Sequence, residues 1–236
     1  MTTPPVELAV LDIAGTTVDD GQQVYQVLDE TVRAHGGAPS QADLARWHGA
    51  AKHEALRALL DSPGDAALAA IVDDFRARLV RVYAERPPRP LPGVAGAFAA
   101  LRSAGVRIAL NTGFDREVTD ALLHAIGWHV GTTAPTTTVD AVVCGSEVPA
   151  GRPAPFMIFR AMEALRVTDV ARVLVAGDTP RDLAAGVRSG AGHVVGVLSG
   201  ASSAAELGAH RHTHLLPSVA DLPALLGLPV RTGAAS

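Results

Sequence analysis

The sequence predicts an α/β protein in which helices cover a parallel sheet and a helical segment is inserted after the first strand. Three observations support this fold class. Short apolar runs recur along the chain and end at polar or turn-forming residues. Helical patterns separate the later runs, as in successive βαβ units. One long stretch near the amino end is helical throughout and interrupts the alternation.

The apolar runs predict five strands. The first covers residues 7–11, ends at Asp12 and is followed by the turn sequence Ala14-Gly15-Thr16-Thr17. The later strands are predicted at residues 107–110, 141–144, 172–176 and 193–198. Helices are predicted at residues 94–104, 115–126, 155–165 and 180–189. The alternation indicates a parallel sheet, because parallel strands need crossover connections.

Residues 21–86 predict helices without strands. Apolar side chains recur there at helical spacing, for example at Val24, Leu28 and Val32. The segment ends in residues 86–93, whose four prolines cannot continue a helix. We therefore predict a core domain of residues 1–20 and 87–236 and a helical cap of residues 21–86. Because the cap begins directly after the first strand, we expect it over the carboxyl edge of the sheet.

The composition argues against several classes of partner. A formal net charge of -4 and 4% aromatic residues leave no basic or stacking surface for nucleic acid. We also expect no membrane partner, because no apolar run approaches the roughly 20 residues of a membrane-spanning helix. A single cysteine and an amino terminus without a basic leader favour a cytoplasmic protein.

Acidic and hydroxyl side chains stand at the ends of the predicted strands. In open parallel sheets, ligands bind at the carboxyl ends of the strands. The residues there are Asp12, Thr112, Gly113, Asp178 and Asp182. Oxygen donors without a histidine or cysteine cluster favour a hard cation such as Mg²⁺ over zinc. The same residues are also typical of turns and of a capping box, so each one taken singly has a structural interpretation.

The order of these residues resembles the four motifs of the haloacid dehalogenase superfamily. The match consists of Asp12-x-Ala14-Gly15-Thr16, the strand end at Thr112, then Arg152, and Gly177-Asp178-Thr-x-x-Asp182. The resemblance implies a Rossmann-like core, a helical cap, magnesium dependence and an aspartyl-phosphate intermediate on Asp12. It further implies that Asp12, the Ala14 backbone carbonyl and Asp178 hold the metal while Asp182 orients the site. Thr112, Gly113 and Arg152 would bind phosphoryl oxygens.

Two departures from the commoner superfamily pattern restrict the resemblance to one branch of the superfamily. Ala14 replaces the usual second aspartate, and Arg152 replaces the usual lysine of the third motif. Both departures are similar to the phosphonoacetaldehyde hydrolase branch, or phosphonatases. That branch carries a cap lysine after a glycine, and His48-Gly49-Ala-Ala-Lys52 is similar. Cleavage of a carbon–phosphorus bond in a small carbonyl phosphonate is the implied reaction.

The chemistry of Lys52 agrees with this interpretation. A phosphomonoesterase needs an acid to protonate its leaving group, and Ala14 offers none. A lysine Schiff base removes that need, because the iminium accepts the electrons of the broken bond. Arginine forms no such adduct, and Lys52 is the sole lysine among 20 basic residues. The alternative is that Lys52 begins a helix as a solvated charge.

Neighbouring residues raise further expectations. His48 and His53 flank Lys52 and are secondary candidates for proton transfer. His48, Ala55 and Phe114 replace methionine, histidine and tyrosine of typical phosphonoacetaldehyde hydrolases, which favours a phosphonatase-like protein with a related substrate. The resemblance also implies a homodimer through the cap. The apolar side chains of Val24, Leu28 and Val32 could form that interface or the interior of the cap equally well.

Other functions remain open at this point. A phosphatase or phosphomutase of the same fold would share Asp12, Thr112 and Asp178, although Ala14 argues against it. A protein that binds a phosphorylated ligand without catalysis is disfavoured, because the residues at the nucleophile, phosphate-binding and metal-binding positions of the motifs are all present. A nucleotide-binding dehydrogenase is weaker still, because no Gly-x-Gly-x-x-Gly follows the first strand.

Overall fold

Six parallel strands form the central sheet, and the first strand of the chain lies in its interior. The computed structural model describes residues 5–131 and 138–229. The strands of the sheet are β1 (Leu8–Asp12), β4 (Arg107–Thr112), β5 (Ala141–Cys144), β6 (Val173–Gly177), β7 (His193–Val197) and β8 (His214–Leu216). Their order is β5-β4-β1-β6-β7-β8, and each neighbouring pair is parallel. A separate antiparallel pair consists of β2 (Val18–Asp19) and β3 (Arg89–Pro90).

Helices cover both faces of the sheet. Alternate residues of β1 face opposite sides, as the period of two in a strand requires. Leu8 and Val10 pack with Met157 of the helix at residues 156–164, whereas Leu11 belongs to the cluster that includes Phe98 of the helix at residues 94–103. The core helices are α5 (Val94–Ser103), α6 (Arg116–Ala125), α7 (Phe156–Ala164), α8 (Pro180–Ser189), α9 (Ala204–Gly208) and α10 (Leu222–Leu225).

The α/β fold predicted from the sequence is confirmed. Each predicted strand corresponds to a strand of the sheet, with ends shifted by at most two residues. The sequence analysis did not identify β8, β2 and β3. The last two contain two residues each, too few for an alternating pattern, and all three residues of β8 are half-buried at an edge of the sheet.

Four helices lie between β2 and β3. They are α1 (Gln23–Ala34), α2 (Gln41–Ala45), α3 (Lys52–Leu59) and α4 (Asp65–Glu85). Their buried side chains pack into one cluster that includes Val24, Leu28 and Val32 together with Leu56 and Phe75. These α1 residues therefore form the interior of the helical segment. A homodimer stays a prediction, and these side chains are not available for its interface.

The helical segment joins the sheet through the β2–β3 pair. Val18 pairs with Pro90 and Asp19 with Arg89, so the two connections run side by side. The division into a core (1–20 and 87–236) and a cap (21–86) stays a prediction. Residues 1–4, 132–137 and 230–236 of that core lie outside the described residues.

None of the helices in the described ranges combines the length and the apolar composition that a membrane crossing requires. The longest is α4, with 21 residues. Its buried positions are spaced along one side of the helix, among them Leu68, Phe75 and Leu79, and charged residues such as Asp73 and Arg76 lie between them. This is the pattern of a helix that packs against protein on one side and faces water on the other.

We predict that Phe75→Ala lowers the free energy of unfolding by about 3–5 kcal/mol, because it empties a fully buried position among α1, α3 and α4. Phe159→Ala is the matched control: the same atoms are removed from a side chain that is 42% exposed, and the loss stays near 0.5 kcal/mol. Denaturant unfolding measures both. Equal losses would contradict the packing described here.

Candidate active site

Four functional side chains predicted from the sequence meet at the carboxyl edge of the sheet. Asp12 ends β1 and Thr112 ends the neighbouring strand β4. Asp178 directly follows β6, the neighbour on the other side, and Asp182 lies in the first turn of α8. All four are buried. The parallel topology therefore brings together residues that are up to 170 positions apart in the chain.

Arg152 lies among these acidic side chains. It belongs to the loop before α7 and is 2% exposed. Its Nη2 lies 2.8 Å from Oδ1 of Asp12, and its Nη1 donates to Oδ1 of Asp182. Within the described residues its Nε has no hydrogen-bond partner. Arg152 thus pairs with two buried carboxylates, its single positive charge balances one of them, and it keeps one donor available.

Three carboxylates could hold a metal ion. Asp12, Asp178 and Asp182 each offer an oxygen, and these oxygens lie within 4.8 Å of one another. Asp178 accepts hydrogen bonds from Thr16 Oγ1 at 3.2 Å and from the Ala201 backbone amide at 2.7 Å. Burial and the nearby charge of Asp12 raise the pKa of Asp178. A bound cation would offset both effects, so this oxygen-rich cluster suits a hard divalent cation.

Asp182 also has a structural role. Its carboxylate accepts from the Thr179 backbone amide at 3.1 Å, as in a capping box at the start of α8, and also from the Thr179 hydroxyl. Its other oxygen contacts Arg152. The capping-box interpretation is therefore confirmed, and the role of Asp182 in orienting the site stays a prediction, although its carboxylate does contact Arg152.

Lys52 is buried, and the alternative of a solvated charge is wrong. It is the first residue of α3 and is 7% exposed. Its Nζ donates to the Ala50 carbonyl at 3.1 Å and lies 5.4 Å from the ring centre of Tyr25 and 5.8 Å from that of Phe114. Burial, together with the charge of Arg152, lowers the pKa of Lys52 to about 8.

A small cavity joins the amine to the strand ends. Its volume is about 20 Å³, close to the space of one water molecule. Its lining includes Asp12, Ala14, Lys52, Thr112, Gly113 and Arg152. Ala14 also lines a second cavity of about 90 Å³ beside Asp178. The helical segment is thus closed over the sheet edge.

Two glycines permit this close approach. Gly49 has φ +72°, and a Cβ there would lie 2.4 Å from Thr179 Oγ1. A Cβ on Gly113 would lie 2.4 Å from the Ala50 carbonyl oxygen. The Lys52 backbone amide donates to the Gly113 carbonyl at 3.3 Å. The loop that precedes Lys52 therefore rests directly on the turn after β4, where any larger residue would separate the two backbones.

The two histidines beside Lys52 differ. His48 is half-buried and stacks on Tyr25, with ring centres 4.0 Å apart. Burial and the charge of Lys52 lower the pKa of His48. His53 is exposed, so the structure does not bring it into the buried cluster. Adjacent residues of a helix point about 100° apart, and Lys52 takes the direction towards the site.

Sequence reasoning missed three contributors to the site. Tyr25 lines both cavities, and Asp20 lines the second. Asp20 accepts from the Tyr83 hydroxyl at 3.1 Å and caps α1 through the Val24 amide at 3.1 Å. Ala201 donates its amide to Asp178. The position of Ala201 directly after the turn that follows β7 was an available signal, whereas the contacts of Tyr25 depend on the packing of α1.

Residues 6–190 match the haloacid dehalogenase-like hydrolases. The chain belongs to this family. The match covers β1 to the end of α8 and therefore includes the ends of β1, β4 and β6, which carry Asp12, Thr112 and Asp178. The resemblance inferred from the motifs is confirmed.

Three individual proteins are similar to this chain in sequence or in fold. A phosphonoacetaldehyde hydrolase from Bacillus cytotoxicus is 30% identical over 211 residues, which cover 84% of this chain and 77% of that protein. The crystal structure of a phosphonoacetaldehyde hydrolase-like protein from Oleispira antarctica superposes with a TM-score of 0.79 at 24% identity, covering 95% of this chain and 92% of that one. CbbY from Rhodobacter sphaeroides in complex with phosphate also shares the fold, with a TM-score of 0.74, 22% identity and coverage of 92% and 96%.

We predict that Arg152→Met lowers the free energy of unfolding by about 3–5 kcal/mol in metal-free buffer, because it leaves two buried carboxylates without their cation. Arg160→Met is the matched control. Arg160 forms an exposed ion pair with Glu163 at 3.0 Å, and its loss changes stability by no more than about 0.5 kcal/mol. Denaturant unfolding measures the difference, and equal effects would show that Arg152 does not balance the site.

Proposed function

We propose that this hydrolase cleaves the carbon–phosphorus bond of a small carbonyl phosphonate, such as phosphonoacetaldehyde, through a Schiff base on Lys52. The observation that carries the proposal is the position of the Lys52 amine. The sole lysine of the chain is buried in the same cavity as Asp12, the residue that matches the family nucleophile. Relatives named phosphonoacetaldehyde hydrolase support the same reaction.

The lowered pKa makes the Lys52 amine reactive. Imine formation needs the neutral amine, because only its lone pair attacks a carbonyl. With a pKa of about 8 instead of 10.5, the neutral fraction near pH 7 rises about 300-fold. Burial therefore prepares the one primary amine in this cavity for Schiff-base chemistry.

The substrate phosphoryl group would lie between Asp12 and the turn after β4. The Thr112 hydroxyl oxygen accepts from the Phe114 amide at 3.2 Å, which leaves its hydrogen to donate to a phosphoryl oxygen. The Gly113 amide and the unpartnered Nε of Arg152 are further donors. Such fixed donors stabilise the charge that develops on phosphorus in the transition state.

Mg²⁺ is the proposed cofactor. Asp12, the Ala14 carbonyl and Asp178 would hold it, with Asp182 orienting the site through Arg152. The bound metal would supply charge neutralisation at the phosphoryl oxygens. The ligands are hard oxygens on one buried edge, which is the donor set that Mg²⁺ prefers.

The reaction then follows from the residues present. The Lys52 amine condenses with the substrate carbonyl and releases water. An Asp12 oxygen attacks phosphorus, the carbon–phosphorus bond breaks, and its electron pair enters the iminium to give an enamine on Lys52. Water hydrolyses the aspartyl phosphate, while the enamine takes a proton at carbon and the resulting imine is hydrolysed. His48, kept neutral by its lowered pKa, is the candidate proton carrier for the imine steps.

The first experiment compares phosphate release by wild type and Lys52→Arg. We expect magnesium-dependent release from phosphonoacetaldehyde by wild type and a loss of at least about 10³-fold in the variant, which keeps the charge without a nucleophilic amine. Borohydride added with the substrate should leave a reduced adduct on the peptide that contains Lys52, detected by mass spectrometry. Peptide mapping distinguishes it from an adduct on the amino terminus.

A panel of phosphate monoesters supplies the opposing outcome. Turnover of monoesters alone, at equal rates in wild type and variant, would identify a phosphatase that shares its fold with CbbY and would make Lys52 dispensable. Magnesium binding without phosphate release from any compound would favour a phospho-ligand-binding protein.

The pH dependence of imine trapping gives an independent test. At pH values below the pKa of Lys52, each decrease of one pH unit lowers the neutral fraction of the amine about tenfold. Well above the pKa, the amine is neutral. The rate of cyanoborohydride trapping at Lys52 should therefore rise up to about pH 8 and then level off. A short lysine peptide is the control, and its rate rises until about pH 10.4. If trapping at Lys52 followed the same pH profile as the peptide, the pKa of Lys52 would not be lowered, and the proposal of an activated amine would be contradicted.

A further inference from the structure

The Arg181 side chain bridges the core and the helical segment. Arg181 lies in the first turn of α8, next to Pro180. Its Nη1 donates to the Arg152 carbonyl in the core at 3.3 Å, and its Nη2 donates to the Arg46 carbonyl in the helical segment at 3.1 Å. Its Cζ lies 5.2 Å from the centre of the Trp47 ring. One guanidinium thus contacts both parts of the chain.

These contacts lie at the beginning of the loop that leads to Lys52. Residues 46–51 connect α2 to α3, and Lys52 is the first residue of α3. At the far end of this loop, the Lys52 amide donates to the Gly113 carbonyl of the core. The core therefore holds the loop at both ends, by a backbone hydrogen bond at Lys52 and by the Arg181 side chain at Arg46 and Trp47.

We propose that Arg181 is a positioning residue that keeps residues 46–51, and with them the Lys52 amine, closed on the core. This inference goes beyond the proposed function, because it concerns closure over the site and holds for any substrate bound there. Arg181 does not line the cavity that contains Asp12 and Lys52. Its hydrogen bond to Arg46 and its contact with Trp47 therefore act on the site through the loop, while its positive charge adds a small direct effect on the Lys52 amine.

An arginine suits this role for two reasons. Its planar fork donates in two directions at once, here to carbonyls of two different segments. The same plane can lie over an indole ring and gain a cation–π interaction. Hydrogen bonds and stacking of this kind favour the closed loop on the order of tenfold. That is enough to populate closure and little enough to permit opening for substrate.

Arg188 provides a matched control within the same helix. It lies seven residues further along α8, two turns on the same face, and its Nη1 donates to the Pro153 carbonyl at 3.2 Å. Arg188→Ala therefore removes a similar tie between α8 and the loop at residues 152–153. It leaves the contacts to Arg46 and Trp47 in place.

The test is amide hydrogen exchange of the free protein in wild type, Arg181→Ala and Arg188→Ala. In Arg181→Ala we expect exchange at Ala50 and Lys52 to accelerate on the order of tenfold, with β1 unchanged. In Arg188→Ala, amide exchange at Ala50, at Lys52 and in β1 should equal that of wild type. Unchanged exchange at Lys52 in Arg181→Ala, or equal acceleration in both variants, would overturn the proposal.

A conservative pair covers the case in which Arg181→Ala does not fold. Lysine supplies a donor without the planar fork, so Arg181→Lys should accelerate exchange at Lys52 while Arg188→Lys does not. Wild-type protection at Lys52 in Arg181→Lys would then reject the proposal. Because these measurements need no turnover, they stand apart from the test of carbon–phosphorus cleavage. If borohydride trapping succeeds, Arg181→Lys, which keeps the positive charge near Lys52, should also trap Lys52 more slowly than wild type.

Discussion

The balance of buried charge at the sheet edge is the constraint on which the rest of the site depends. Asp12, Asp178 and Asp182 lie there with Arg152 and Lys52, and none is more than 7% exposed. Charges removed from water need opposite charges close by. With a neutral amine, the ionised cluster carries two net negative charges, which is the charge that a divalent cation would cancel. Burial is the largest cause of both the raised pKa of Asp178 and the lowered pKa of Lys52, to which Asp12 and Arg152 respectively add by like-charge repulsion.

Much of the sheet and its functional edge could be predicted from the sequence. Parallel topology brings all strand ends to one edge, so Asp12, Thr112 and Asp178 could be grouped from their positions after apolar runs. The contacts between distant segments could not be predicted in this way. The stacking of His48 on Tyr25 and the reach of Arg181 to Arg46 depend on how α1 and α2 settle on the core. No local pattern in the sequence records that packing.

Lys52 illustrates the same difference between what a sequence pattern predicts and what depends on packing. Its identity distinguishes it among the basic residues of the chain, and the motif around Gly49 indicated its importance. Its burial could not be predicted, because the sequence also allowed Lys52 to begin a helix as a solvated charge. Burial follows from the close contact of two backbones at Gly113 and Ala50. The same contact explains why His53, one position further, faces water.

The β2–β3 pair sets how the helical segment is attached to the rest of the chain. Paired antiparallel strands lie about 5 Å apart, so the two ends of the insertion leave the core as neighbours. A segment joined in this way is connected to the rest of the chain at one short place, the β2–β3 pair. Recombination could exchange it for a segment of another length or shape without moving β1 or the side chains behind it. The nucleophile and the specificity of such a protein can therefore evolve as separate modules.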